Sequence, residues 1–304
     1  MTAAMMGSFD FRDYPASRLV AAKRGRRISV CLPARNEGAT VGLTVEAIRR
    51  ELMLAEPVVD ELVVVDDGST DDTAAVAETA GATVVRAADV LPEYGTEHGK
   101  GQAMWRAVHV TSGDLLAFCD ADIQQFDTGF VRGLLGPLLT RDDVTFVKGY
   151  YERPLDGRAG EGGRVTELMA RPLISILFPE LAPLCQPLAG ECASRRDILE
   201  AVPFVGGYGV DLGLLIDVTE RFGTAGLVQC DLGQRVHRNR PLAELGVQAL
   251  AILQLGLARA GLREEAAAAF GWTTNLVRPS GETIPVTLVE RPPLKDVPAH
   301  RKTA

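Results

Sequence analysis

The sequence predicts an α/β protein built on a mostly parallel sheet, and three observations predict it. Apolar runs without polar alternation occur at residues 28–33 (ISVCLP), 61–65 (ELVVV) and 114–119 (DLLAFC), as expected of strands covered on both faces. Helical segments separate these runs, and strand–helix alternation builds parallel sheets with right-handed crossovers. Each run ends in a cluster of polar or turn residues, so chemistry-bearing side chains collect at the strand tips.

The first strand stops at Pro33, and a helix follows over 40–54. The second strand ends in the turn Asp66-Asp67-Gly68-Ser69-Thr70-Asp71-Asp72-Thr73, whose Ser/Thr/Asp cluster starts a helix at 74–80. A strand at 83–86 completes a β-α-β-α-β run. After a loop rich in Pro, Gly and charge (92–101) come a helix at 102–110 and a fourth strand at 114–119, which stops at Asp120-Ala121-Asp122. Beyond Asp127 the pattern turns to helices and short strands: a strand at 144–150, a Gly-rich loop at 157–163 and a helix at 164–177. The apolar stretch 242–262 is broken by Glu244, Gln248, Gln254 and Arg259, whereas a spanning helix needs about 20 nearly unbroken apolar residues. It reads as a buried or subunit-contacting helix. Residues 1–25 and the Pro- and charge-rich 291–304 are expected to be mobile. Between them 26–125 and 126–290 join without a linker.

With 304 residues, 46% of them apolar and 24% charged, the chain buries a full core in the manner of an ordinary globular enzyme. Its net charge of -8 argues against diffuse attraction to nucleic acid or an anionic membrane. Any anionic ligand has to be caught by a few placed groups. Five scattered cysteines lack zinc or redox spacing and read as reduced thiols. The N-terminal segment has no apolar run and cleavage site of a signal peptide, so a cytoplasmic protein is expected.

Open α/β sheets bind ligands at the carboxyl ends of their strands, so three tips should converge: Arg35-Asn36-Glu37, Asp66-Asp67 and Asp120-Asp122. Carboxylates at alternate positions in Asp120-Ala121-Asp122 suit a hard divalent cation, Mg2+ or Mn2+, which also accepts diphosphate oxygens and water. In isolation such a triplet is more often a solvated turn, and its setting after a buried strand is what favours a site. Asp66 reads equally as a turn cap or a binding residue, while Asp67 reads as binding. Lys100 between two glycines before a helix reads as the close approach of a ligand rather than a solvated loop. Gly162-Gly163-Arg164-Val165-Thr166 combines free backbone N–H groups, a guanidinium and a hydroxyl at a helix start. That suits a phosphate or carboxylate, with ordinary capping as the alternative.

The ordered set PARNE (33–37), VVDDGSTDD (64–72), GKG (99–101) and DAD (120–122) resembles the nucleotide-sugar part of GT-A (Rossmann-like) glycosyltransferases, over residues 28 to 125. The resemblance implies a fold in which this part is continuous with an acceptor-binding C-terminal part. It places Pro33, Ala34, Arg35, Asn36, Glu37 and Asp67 at the uridine, with Asp67 on the uracil edge, Lys100 near the nucleotide, and Asp120 and Asp122 at ribose and metal. Arg35 and Ala121 contribute backbone at most. Further segments, GGRVTEL (162–168), PLAGE (187–191), GYGVD (207–211) and RVHRNRP (235–241), resemble the retaining glucosyl-3-phosphoglycerate synthases of actinobacterial type. That likeness implies UDP-glucose as donor and 3-phosphoglycerate at Gly163, Arg164, Val165 and Thr166, with Asn239 assisting. It also implies His237 as a third metal ligand beside Asp120 and Asp122. Tyr208 and Asp211 fall near the glucose, where the family more typically carries a glutamate in place of Asp211.

The reaction so implied moves glucose to the 2-hydroxyl of 3-phosphoglycerate with retention. No residue declares itself a nucleophile, so same-face attack is expected; the resemblance implies that the backbone from Leu188 to Gly190 lies near the sugar, with Asp122 and Asp211 beside the reacting centre. The rival enzyme is an inverting transferase to a polyprenyl phosphate, which would want membrane-facing helices. A silent sugar-nucleotide-binding regulator is the rival from another class. A homodimer is expected, with the 242–262 helix as a dimer face or core.

Overall fold

The computed structural model describes residues 6–153, 163–235, 241–271 and 274–300. Its central sheet uses β1 (Ser8–Asp10), β2 (Ile28–Ala34), β3 (Glu61–Asp66), β4 (Thr83–Arg86), β5 (Leu115–Phe118), β6 (Phe146–Glu152), β7 (Cys192–Arg195) and β9 (Leu227–Gln234). The short β8 (Phe204–Val205) lies outside it. The strands run in the order β1-β9-β6-β7-β5-β2-β3-β4. Only β7 runs against its neighbours β5 and β6; the other pairings are parallel. One sheet therefore crosses from the first part of the chain into the second, the physical reason no linker is legible between them.

The helices are α1 (Ala16–Ala22), α2 (Val41–Ile48), α3 (Thr73–Ala80), α4 (Lys100–Val110), α5 (Gly129–Thr140), α6 (Arg171–Leu177), α7 (Arg196–Ala201), α8 (Val210–Phe222), α9 (Leu242–Arg259) and α10 (Arg263–Phe270). They cover both sheet faces. Leu19, Val45, Ala77 and Leu134, from α1, α2, α3 and α5, join Val30, Leu32, Val64 and Ala117 in one core. Met104, Trp105, Ile174, Leu199, Leu215 and Ile252, from α4 and α6 to α9, join Cys31, Val63, Val65 and Phe118 in the other. Successive residues of an all-apolar strand thus serve opposite cores, which is why these strands show no polar alternation.

Two expected helices are less regular than their pattern suggests. The 40–54 segment is α2 continued by a wider π-type turn at Arg49–Ala55. The 164–177 segment opens with such a turn at Thr166–Ala170 before α6. There Pro172 removes a backbone donor in the first turn of α6, which relaxes the ladder N-terminal to it.

Both ends correct the sequence reading. Within residues 1–25, expected to be mobile, β1 pairs with β9 along the sheet edge and Leu19 of α1 is fully buried. Within 291–304, β12 (Glu290–Arg291) pairs antiparallel with β8, and Leu294 and Val297 are fully buried. A few buried apolar side chains and strand pairings fix segments whose composition alone reads as polar tail. A hairpin of β10 (Asn275–Val277) and β11 (Thr283–Pro285) precedes β12. Among the described residues no single helix is long and apolar enough to cross a membrane; α9 and α10 meet at a 105° bend.

Candidate active site

The carboxyl ends of β2, β3 and β5 open into a cleft of about 630 Å³. Pro33, Ala34, Arg35 and Glu37 line it from β2 and its loop, Asp67 from the β3 turn, Lys100 from the start of α4, and Asp120, Ala121 and Asp122 from the end of β5. Gly163, Arg164, Val165, Thr166, Leu188, Tyr208 and Asp211 close it from the second part of the chain. His237 and Asn239 lie outside the described residues.

Local geometry separates the residues of each motif. Asp66 turns away: its Oδ1 accepts the Ser69 N–H at 3.2 Å, so it caps the turn. Asp67 faces the cleft, its Oδ2 accepting the Gly99 N–H at 2.6 Å and its Oδ1 lying 3.2 Å from His98 Nδ1. Burial raises its carboxyl pKa against those contacts. Asn36, expected at the nucleotide, does not line the cleft; at φ 58° its Oδ1 accepts the Thr70 N–H at 2.8 Å and locks the two loops together. The Ala121 carbonyl accepts the Thr40 hydroxyl at 2.6 Å, which ties the end of β5 to the loop before α2.

Beneath the cleft lies an ion cluster. Lys100 Nζ donates to Asp120 Oδ1 at 2.6 Å and to the Gly190 carbonyl at 2.9 Å. Lys148 Nζ, 2% exposed, donates to the Ala189 carbonyl at 2.6 Å and lies 3.3 Å from Asp211. Arg235 reaches Asp120 at 2.9 Å, Asp122 at 2.5 Å and Glu191 at 3.0 Å, and donates to the Tyr151 hydroxyl at 2.6 Å. A register shift between Tyr150 and Glu152 sets Tyr151 beneath the site. Burial alone would raise the Asp120 pKa, but the Lys100 and Arg235 cations more than offset it and hold the carboxyl well below its usual range. The same carboxylates keep Lys100 an ammonium despite its burial. Glu191, fully buried, is pushed up by burial, which the Arg235 charge only partly counters.

Four carboxylates (Asp120, Asp122, Glu191, Asp211) thus meet three cations (Lys100, Lys148, Arg235). The hard oxygens of Asp120 and Asp122, both reaching the cleft, fit a divalent cation of the magnesium type. Among the described residues no third His, Cys, Asp or Glu completes a metal-binding group. Near Gly163 to Thr166, Arg153 and Arg164 line the cleft, and Arg153 Nε, buried, finds no hydrogen-bond partner among the described residues.

Motif spacing does not single out His98, Lys148, Tyr151, Arg153 or Glu191, and Arg235 enters it only as part of RVHRNRP (235–241). Lys148 and Tyr151 stand inside an apolar strand, and only the sheet face they occupy reveals their role. Glu191 carried a signal, a charge within PLAGE immediately before a buried strand.

The family model for glycosyl transferase family 2 matches residues 29–202. A glucosyl-3-phosphoglycerate synthase of Mycolicibacterium smegmatis is 45% identical over 291 residues, 94% of this chain and 95% of that protein. One from Petrotoga mobilis is 42% identical over 241 residues, 78% and 74% of the two chains. The crystal structure of the Mycobacterium tuberculosis glucosyl-3-phosphoglycerate synthase with Mn2+, UDP-glucose and phosphoglyceric acid superposes with a TM-score of 0.85 at 42% identity, covering 95% of this chain and 98% of that one. Its complex with Mn2+, UDP and glucosyl-3-phosphoglycerate gives 0.84 at 42% identity, over 95% and 99%.

Proposed function

This chain belongs to glycosyl transferase family 2, among its glucosyl-3-phosphoglycerate synthases, and from that membership we infer that it transfers glucose from UDP-glucose to 3-phosphoglycerate in a metal-dependent reaction. One observation of its own carries the reading: the four donor motifs and the Gly163–Thr166 helix start line a single cleft. Donor and acceptor subsites so joined are what a transferase requires. We assign attack to the acceptor 2-hydroxyl, with retention at the sugar.

The residues divide the work by chemistry. Asp67 offers a carboxylate acceptor to the uracil N3–H, steadied by the Gly99 N–H. Asp120 and Asp122 hold Mg2+ or Mn2+, and His237 is proposed as a further ligand. The bound cation supplies neutralisation of charge that grows on the departing diphosphate. Lys100 stays protonated among its carboxylates and adds fixed positive charge at that end of the cleft. The 188–190 backbone is pinned by two ammonium groups, Lys148 on Ala189 O and Lys100 on Gly190 O. A rigid backbone there supports same-face attack, in which leaving oxygen and incoming hydroxyl share one side of the sugar. Asp211, 3.3 Å from Lys148, orients glucose hydroxyls as a hydrogen-bond acceptor. Arg153, Arg164 and the N–H groups at the 163–166 turn receive the acceptor's phosphate and carboxylate, with Asn239 assisting.

Release of UDP from UDP-glucose, measured with and without 3-phosphoglycerate and Mg2+, tests the reading. Release that needs both establishes the reaction; UDP binding without acceptor-dependent release redirects the search to other phosphorylated acceptors, polyprenyl phosphate included. We also assign a cytoplasmic homodimer, for which the exposed Leu168 and Ile176 offer apolar surface. Light scattering at the mass of one 32.5 kDa chain would overturn the dimer.

A further inference from the structure

The segment that ends the described chain returns to the donor side of the cleft. The Val289 carbonyl accepts the Gly206 N–H at 2.7 Å and Gln102 Nε2 at 3.4 Å. Next, Glu290 and Arg291 pair with Val205 and Phe204 of β8, and Trp105 Nε1 donates to the Pro292 carbonyl at 2.8 Å. The Arg291 guanidinium, 6% exposed, contacts the Tyr94 carbonyl and Gln102 Oε1 and pairs with Glu97 Oε2 at 2.5 Å. Leu294 and Val297, fully buried, anchor the strand beyond.

These contacts fall on both lips of the donor subsite. One lip is the 91–99 loop, irregular in backbone, with Leu91 at φ 49° and Gly95 at φ 93°. Its carbonyls are held by guanidinium groups, Gly95 O by Arg106 at 2.5 Å and Tyr94 O by Arg291. This loop delivers the Gly99 N–H to Asp67 and then Lys100 to Asp120. The other lip is the 206–208 turn, whose Gly207 and Tyr208 line the cleft. The lips touch, since a Cβ on Gly99 would fall 2.7 Å from Gly207 N.

We propose that the 289–292 segment is a strap that sets the width of the uridine diphosphate subsite, with Arg291 as its positioning residue. The proposal rests on the reading of this cleft as the UDP-glucose site. Arg291 touches no substrate; it acts by fixing the loop that carries Gly99 and Lys100. Lysine is no equivalent, because one ammonium lacks the planar fork that reaches three acceptors at once.

The test compares wild type with Arg291→Ala, Arg291→Lys and Glu290→Gln in steady-state kinetics, UDP calorimetry and thermal melting. Glu290 lies on the strap but pairs with Arg259 of α9. Arg291→Ala should raise the UDP-glucose KM and the UDP Kd about tenfold, leaving the 3-phosphoglycerate KM near wild type. Arg291→Lys should shift them the same way, keeping the test open where the alanine variant fails to fold. Glu290→Gln should match wild type. Unchanged UDP Kd in a folded Arg291 variant overturns the proposal, as does equal loss of both KM values in step with a lowered Tm. Wild-type protein that fails to bind UDP overturns the donor-site reading itself, and the strap with it.

Discussion

At the scale of single residues, the cleft leaves little room around Asp120. A methyl group added at Gly190 would fall 2.1 Å from Asp120 Oδ2, well inside contact distance. Gly190→Ala should displace that carboxylate and cut UDP release by about a hundredfold, the usual cost of misplacing a reacting geometry by an ångström. Circular dichroism should show the fold intact. Asp122→Ala should remove metal-dependent release with little change in Tm, because the side chain is 40% exposed and Arg235 keeps Asp120 and Glu191 as partners. Loss of Asp122 with full metal-dependent activity would refute its role. That Asp67, Lys100, Asp120 and Asp122 line one cleft was legible because they stand at strand tips and a helix start, where open α/β sheets gather such side chains. Asp66 stayed ambiguous until its bond to Ser69 made it a cap. Lys148 was hidden, since burial and pairing across the sheet are properties of the folded neighbourhood, and the charge of Glu191 before a buried strand did not say what it pairs with.

At the scale of elements, the two ends of the chain do more than their composition suggests. β1 covers the β9 edge, and α1 packs on α5, where a Cβ on Gly136 would meet the Tyr14 ring at 2.2 Å. Deleting residues 1–25 should uncover a strand edge and the apolar face of α5. The truncated protein is expected to melt lower and to aggregate, measured by thermal denaturation and light scattering. A truncation that melts like the full chain would return this segment to the status of a tail. The core strands were read within one or two residues, because a two-sided apolar run has one interpretation. Helix interiors were read well, while the turns at 49–55 and 166–170 were not, because their widening depends on packing and on Pro172 rather than on apolar period.

At the scale of the whole molecule, ion pairs between distant elements join α8, α9 and β12. Arg259 of α9 pairs with Asp217 of α8 at 2.6 Å and with Glu290 of β12 at 2.5 Å. Burial pushes the Asp217 carboxyl up to about 6, against the pull of Arg259. A raised folded pKa means the folded state holds the proton more tightly, so the stability it contributes is full below the ordinary carboxylate range and lost as pH rises through about 6. Asp217→Asn should therefore flatten the change in Tm between about pH 4 and pH 7, an effect of at most about 3 kcal/mol at 1.36 kcal/mol per pKa unit. An unchanged Tm profile would refute the assignment. The sequence by itself determined the α/β class, the strand tips that bear the donor motifs and the family, because apolar period and motif order are local and survive in one dimension. Only the tertiary structure decided that the second half adds β6, β7 and β9 to the same sheet, that Lys148, Glu191 and Arg235 underlie the cleft, and that Arg291 returns to its rim. Those are contacts between residues far apart in the chain, fixed by which faces pack together and therefore invisible to spacing.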